Sequence, residues 1–181
     1  MKGTIAVGII ALGLSSAVPA SAAEGMPAAS EDGSTNIGFL AGLTFPEGGS
    51  KFTFGATATH KFTPVWGAGL YLTYWGTTVT AQQGETTSSN TVSALEGSYF
   101  FPDIVGLRLG GKLGLNFVGG SSTIPGITVA SDNALVVGPH IGYDYQLSRN
   151  VSFGGEFNIL FQTKTGSDSV TNLLAALKYW F

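Results

Sequence analysis

The stretch "GLRLGGKLGLNF", Gly106 to Phe117, carries Leu107, Leu109, Leu113, Leu115 and Phe117 at odd positions and Arg108, Lys112 and Asn116 at even ones. A period of two belongs to an extended strand, whose successive side chains point to opposite faces. In a soluble sheet the leucines of such a strand would face a core and the charges would face water. That arrangement needs enough charge along the chain to cover the exterior. Charged residues are only 10% of this chain and hydrophobic residues 44%, against roughly 25% charged in an ordinary soluble domain. The alternation is therefore read the other way round: the leucines face lipid and the charges face one another.

The apolar residues are also dispersed. After the N-terminus no run approaches the roughly 18 to 20 residues of a transmembrane helix, whereas alternation spread over many short segments is the signature of a transmembrane barrel. The N-terminus reads as a secretory signal peptide over residues 1–22, with Lys2, an apolar stretch from Ile5 to Leu14, and Ala20-Ser21-Ala22 as the cleavage site. Residues 23–35 are small, polar and acidic and are expected to form a flexible periplasmic leader. The barrel is assigned to residues 36–181. The chain has no cysteine, hence no lipoprotein attachment site and no disulfide framework, and its net charge of −3 with no basic cluster argues against nucleic acid as a partner.

From Asn36 onward, segments of about ten or more residues alternate and end in Gly, Pro, Ser, Asn or Asp clusters. They run 36–45, 52–62, 65–79, 91–101, 106–117, 134–147, 151–163 and 170–181. The fold expected is all-β, an eight-stranded antiparallel up-and-down transmembrane β-barrel. The links after the second, fourth and sixth segments are short, whereas "AQQGETTSSN" and "GGSSTIPGITVASDN" after the third and fifth are long. Short turns at one end and longer loops at the other place both termini in the periplasm of a bacterial outer membrane. Pro139 interrupts the sixth segment without changing its parity, which leaves room for a bulge.

Parity assigns each face its residues. Outward aromatics gather toward strand ends as interfacial girdles: Trp66, Tyr74, Tyr99, Phe101, Tyr143, Tyr145, Tyr179 and Phe181. Inward positions collect Lys61, Glu96, Arg108, Lys112, His140, Asp144, Glu156 and Lys178. An eight-stranded barrel is about wide enough for its own side chains, so this set is expected to pair into a plug and not to line a wide channel. Arg108 and Lys112 are expected to couple to carboxylates drawn from Glu96, Asp144 and Glu156, with Glu96 and Arg108 the foremost pair because their strands are neighbours.

The signal peptide, the eight alternating strands and the ending Tyr179-Trp180-Phe181 resemble the small outer-membrane barrel family that includes OmpX and the OmpA transmembrane domain. The resemblance covers residues 36–181 and lies in architecture. It implies that Tyr179 and Phe181 act as the assembly signal read by the barrel assembly machinery, although Ala176 stands where glycine is common and Leu174 where a polar residue is usual. It further implies outer-membrane lipids and lipopolysaccharide as surroundings, periplasmic chaperones as transient partners, and a monomer.

Some eight-stranded barrels resemble this pattern and modify lipid A with His, Ser and an acidic residue. Here His60 and His140 lack the serine two positions on that such enzymes show, and neither a nucleophile elbow nor an HExxH motif occurs. Two histidines on separate strands give no metal spacing, and no phosphate-binding glycine loop or other cofactor motif is present. The sequence is read as a non-enzymatic barrel with a structural or surface-interaction role. A narrow channel for small ions or hydrophobic molecules is the alternative, and a lipid-modifying enzyme stands third.

Overall fold

The alternating segments form eight strands in a computed structural model that describes residues 33–46, 49–128, 132–163 and 169–181. These are β1 (Thr35–Phe45), β2 (Lys51–Lys61), β3 (Trp66–Ala81), β4 (Gly84–Phe100), β5 (Leu107–Ser122), β6 (Asp132–Gln146), β7 (Val151–Gln162) and β8 (Val170–Trp180). Every strand is antiparallel to its sequence neighbours, and β8 pairs with β1 to close the sheet. Closure leaves the barrel without an edge and lets the strands satisfy their backbone groups among themselves, the condition for crossing hydrocarbon.

The registers fix the barrel's shape. From Thr35 the row of facing residues passes through His60, Ala68, Gly97, Gly111, Pro139, Ile159 and Thr171 and returns to β1 at Phe45, ten residues beyond its start. A stagger of ten over eight strands tilts them by about 41° and sets a backbone radius of about 8 Å. Side chains from opposite walls can meet across such a lumen.

The faces follow parity. On β5, Arg108, Lys112 and Asn116 are buried, while Leu109, Leu113, Leu115 and Phe117 are exposed. The same inversion runs around the wall: Ile37, Phe39, Leu70, Leu95, Phe153 and Leu177 are each more than half exposed. A water-soluble protein does not present such a surface.

Several boundaries differ from the sequence expectation. The stretch "AQQGETTSSN", expected to be a loop, is mostly strand: β3 and β4 pair out to Ala81 and Gly84, with only Gln82 and Gln83 between them. Its threonines favour extended backbone, but hydroxyl residues on both faces erase the hydrophobic alternation that marks a strand. β5 likewise continues to Ser122, facing Thr86. At the N-terminus, Thr35 already belongs to β1, and just before it Lys61 N–H donates to the Ser34 carbonyl at 2.9 Å. The signal peptide and leader positions 1–32 lie outside the described residues.

Pro139 marks no bulge. Val137 faces Phe161 and His140 faces Asn158, three residues farther along each strand, so nothing is inserted. The β6–β7 pairing is interrupted at Gly138 and Pro139, where the proline has no N–H to give.

Candidate functional site

The lumen holds the chain's concentration of buried charge. Six of the side chains placed there by parity form one connected cluster. Arg108 bridges two carboxylates, Nη1 reaching Asp144 Oδ2 at 3.2 Å and Nη2 reaching Glu156 Oε2 at 2.6 Å. Lys112 is paired with Glu96 and also lies 3.0 Å from Glu156 Oε1. Lys178 completes the set at 2.8 Å from Asp144 Oδ2. Three cations thus meet three carboxylates, and all six groups are nearly inaccessible to solvent. The balance is what burial requires, because an unpaired charge in a low-dielectric interior is costly.

The expected pair Glu96–Arg108 is corrected by register. Glu96 faces Lys112 directly across the β4–β5 ladder, whereas Arg108 faces Phe100, four residues farther along β4. Arg108 instead reaches across the lumen to β6 and β7. Its guanidinium lies over Gly142, where an added Cβ would come within 2.6 Å of Nε. A glycine at this point of β6 is the condition for the long side chain to lie flat.

Lys61 sits apart from this cluster, near the end of the barrel that carries the termini, with Nζ 4.3 Å from the centre of the Phe100 ring. His140 joins the cluster through Ser98. Ser98 donates to Glu96 Oε1 at 3.1 Å, and its oxygen lies 3.1 Å from His140 Nε2. A hydroxyl with one proton can serve both contacts only if His140 Nε2 carries a hydrogen and donates to it. Serine, histidine and carboxylate therefore meet, but not as a nucleophile relay. Ser98 and Glu96 both approach Nε2, Glu96 at 3.9 Å, while Nδ1 has no hydrogen-bond partner among the described residues. A triad needs the acid on the opposite ring nitrogen from the nucleophile.

Several interior partners lie outside the charged set read from the sequence. Asn158 donates to Glu156 Oε1 at 3.1 Å and to the Tyr71 hydroxyl at 3.3 Å, and accepts from Asn172 at 2.7 Å. Thr44 donates to Asn172 and bonds Thr53. The Tyr71 ring carries Lys112 Nζ 3.9 Å from its centre. Toward the end opposite the termini, Trp75, Val92, Val136, Leu160 and Val170 belong to a buried apolar cluster that is interleaved with the buried Thr44, Thr53 and Asn116. Leu174, at the position where the resemblance leads one to expect a polar residue, is 1% exposed and belongs to the same apolar cluster. Strict parity points to these inward apolar residues; attention to charge alone passes over them.

On the outside, Trp66, Tyr99, Phe101, Tyr143, Tyr145, Tyr179 and Phe181 lie at the terminal end of their strands, and Tyr74 toward the opposite end. Trp66, Tyr99 and Phe101 stack edge to face, with ring centres 5.1 Å apart at each step. Tyr74 packs against Phe54 at 5.2 Å. Among the described residues no group of His, Cys, Asp and Glu has the arrangement of a metal site.

No family model and no curated protein matches the sequence. Solved structures do match its fold. Ail, the attachment invasion locus protein of Yersinia pestis, solved in complex with the heparin analogue sucrose octasulfate, aligns with a TM-score of 0.62 at 12% identity, over 83% of this chain and 100% of its own. A major outer membrane protein of Thermus thermophilus aligns at 0.60 and 15% identity, over 83% of this chain and 100% of that one. The outer membrane protein OprG of Pseudomonas aeruginosa aligns at 0.55 and 14%, over 84% of this chain and 97% of its own. The chain has the fold of the small eight-stranded barrels known from outer-membrane proteins.

Proposed function

We propose that this protein is an integral barrel of a bacterial outer membrane, closed along its axis, whose role is structural or is exercised at the cell surface. The observation that carries the reading is the filled lumen: a balanced charge cluster beneath buried apolar, hydroxyl and amide side chains, inside a wall whose outer face is apolar. Such an interior is occupied by its own side chains. The reading places both termini in the periplasm, the β3–β4 hairpin outside, and the Trp and Tyr collar at the inner interface. Outer-membrane lipids and lipopolysaccharide surround it as a monomer, and Tyr179 and Phe181 serve the barrel assembly machinery. No enzymatic role is assigned, because Ser98, His140 and Glu96 lack relay geometry.

The outward extension of β3, β4 and β5 is the part available to partners. It is lined by threonine and serine, with cross-strand contacts such as Thr86 to Ser122 at 3.1 Å. Ail was solved with a heparin analogue, but in this sequence the links at the end opposite the termini, with the residues that flank them, carry Glu47, Glu85, Asp132 and Asp168 against Lys51 and Lys164. An excess of carboxylates disfavours a sulfated glycan, because like charges repel.

Planar-bilayer recording of the refolded mature chain tests closure. The expected result is a heat-modifiable, β-rich species with no stepwise conductance. Reproducible single-channel steps would replace this reading with the narrow-channel one.

A further inference from the structure

The outer wall has a trough that internal packing does not explain. Ala68, Gly97, Gly111 and Pro139 are consecutive facing residues on β3, β4, β5 and β6, all on the outward parity. The row on one side of them holds Leu95, Leu113 and Val137; the row on the other holds Tyr99, Leu109 and Ile141. The result is a channel one residue row wide between two apolar ridges, about 14 Å long at ordinary strand spacing. A cavity of about 720 Å³ lies over Gly97, Gly111 and Pro139, bounded on one side of that row by Leu95, Leu113, Val137 and Phe161.

Packing does not demand glycine here. A Cβ on Gly97 would meet nothing within 4 Å, and one on Gly111 only the Gly138 carbonyl oxygen at 3.8 Å. The neighbouring lumen-facing Gly110 and Gly138 differ, since a Cβ on either would collide with the backbone of the next strand. Glycine inside a strand weakens it and marks a place where something approaches the backbone closely. Two in register on the outward face weaken the same ladder twice.

We propose that this trough is a binding site for one acyl chain of a phospholipid in the periplasmic leaflet, a proposal that rests on the membrane reading above. The trough is linear and narrow, which suits a single hydrocarbon chain and not the broad convex wall of a second barrel. Its ridges are apolar, and Glu96 and Lys112 behind it point into the lumen and engage each other. The occupant is therefore the chain and not the headgroup. The Ala68 end lies two residues from Trp66, whose ring meets Tyr99 at 5.1 Å in the collar near the termini, so the chain enters from that interface.

The test uses the refolded mature chain in phosphatidylethanolamine–phosphatidylglycerol vesicles containing a phosphatidylethanolamine with a photoreactive diazirine on its acyl chain, followed by mapping of the labelled residues. Labelling is expected to be several-fold higher at Ala68, Gly111 and Leu113 than at outward Ile37 and Tyr179, which face each other in a row without glycine. Filling the trough with Gly97→Leu and Gly111→Leu together should remove that excess, whereas Ala175→Leu on β8 should leave it unchanged. Gly111→Val alone serves if the double variant does not fold. Even labelling around the wild-type wall, or an excess that survives the filled trough, overturns the proposal. Disulfide-linked dimers of Gly111→Cys in the vesicles would also overturn it and make a second copy the occupant. Absence of label at every outward position would instead defeat the membrane reading itself.

Discussion

A charge inside a barrel is held by whatever its register puts in reach. Alternation alone tells that Arg108, Lys112, Glu96, Asp144 and Glu156 share the interior, because parity is local and a strand has only two faces. Which carboxylate each cation finds depends on stagger, and a shift of the β4–β5 pairing by one repeat of Arg108 and Lys112 exchanges the cation opposite Glu96. Glu96→Gln should therefore destabilise the barrel by about 3–5 kcal/mol, the usual cost of breaking a buried pair, and Lys112→Met added to it should recover part of the loss. The coupling energy for Glu96 with Lys112 is expected to exceed about 1 kcal/mol, and that for Glu96 with Arg108, which is linked to it only through Lys112 and Glu156, to be clearly smaller. Reversible unfolding in lipid vesicles, with a double-mutant cycle for each pair, measures both. Equal couplings would contradict the register.

Along a strand, depth in the bilayer decides what a substitution costs. Leu113 lies in the interior of β5 and is 52% exposed, whereas Leu107 is the first residue of that strand. Leu113→Arg is expected to cost about 2–4 kcal/mol and Leu107→Arg about 0–1, as lipid-facing arginine does at the midplane and near the interface. Denaturant unfolding in vesicles compares the two. The β3–β4 hairpin carries a second prediction. Because Gln82 and Gln83 alone join its strands beyond the apolar wall, an epitope inserted between them should leave heat-modifiable folding intact and bind antibody on unpermeabilised cells. Antibody binding only after permeabilisation would invert the proposed orientation. The hairpin and Pro139 also show where strand signals fail. Threonine and serine on both faces of the hairpin hide it from a hydrophobic period. Pro139 breaks local hydrogen bonding, yet its effect on register is set by β5 and β7, which hold the strand on either side.

For the molecule as a whole, closure depends on the summed stagger of all eight pairings. Glu156→Gln should lower stability without raising conductance, because the buried side chains of Trp75, Val92, Val136, Leu160 and Val170 remain above it. Bilayer recordings of that variant check this, and a gain of conductance would show that the charge cluster itself is the seal. The number of strands, their two faces and the outward sense of the apolar one were legible in the sequence. Each follows from a period of two and a shortage of charge, which are properties of short segments and of composition. The stagger of ten, the ion-pair partners, the buried apolar cluster, the extended hairpin and the trough across four strands belong to the tertiary structure. They arise where residues distant in the chain meet across a ladder or a lumen, and no local period records which residues those are.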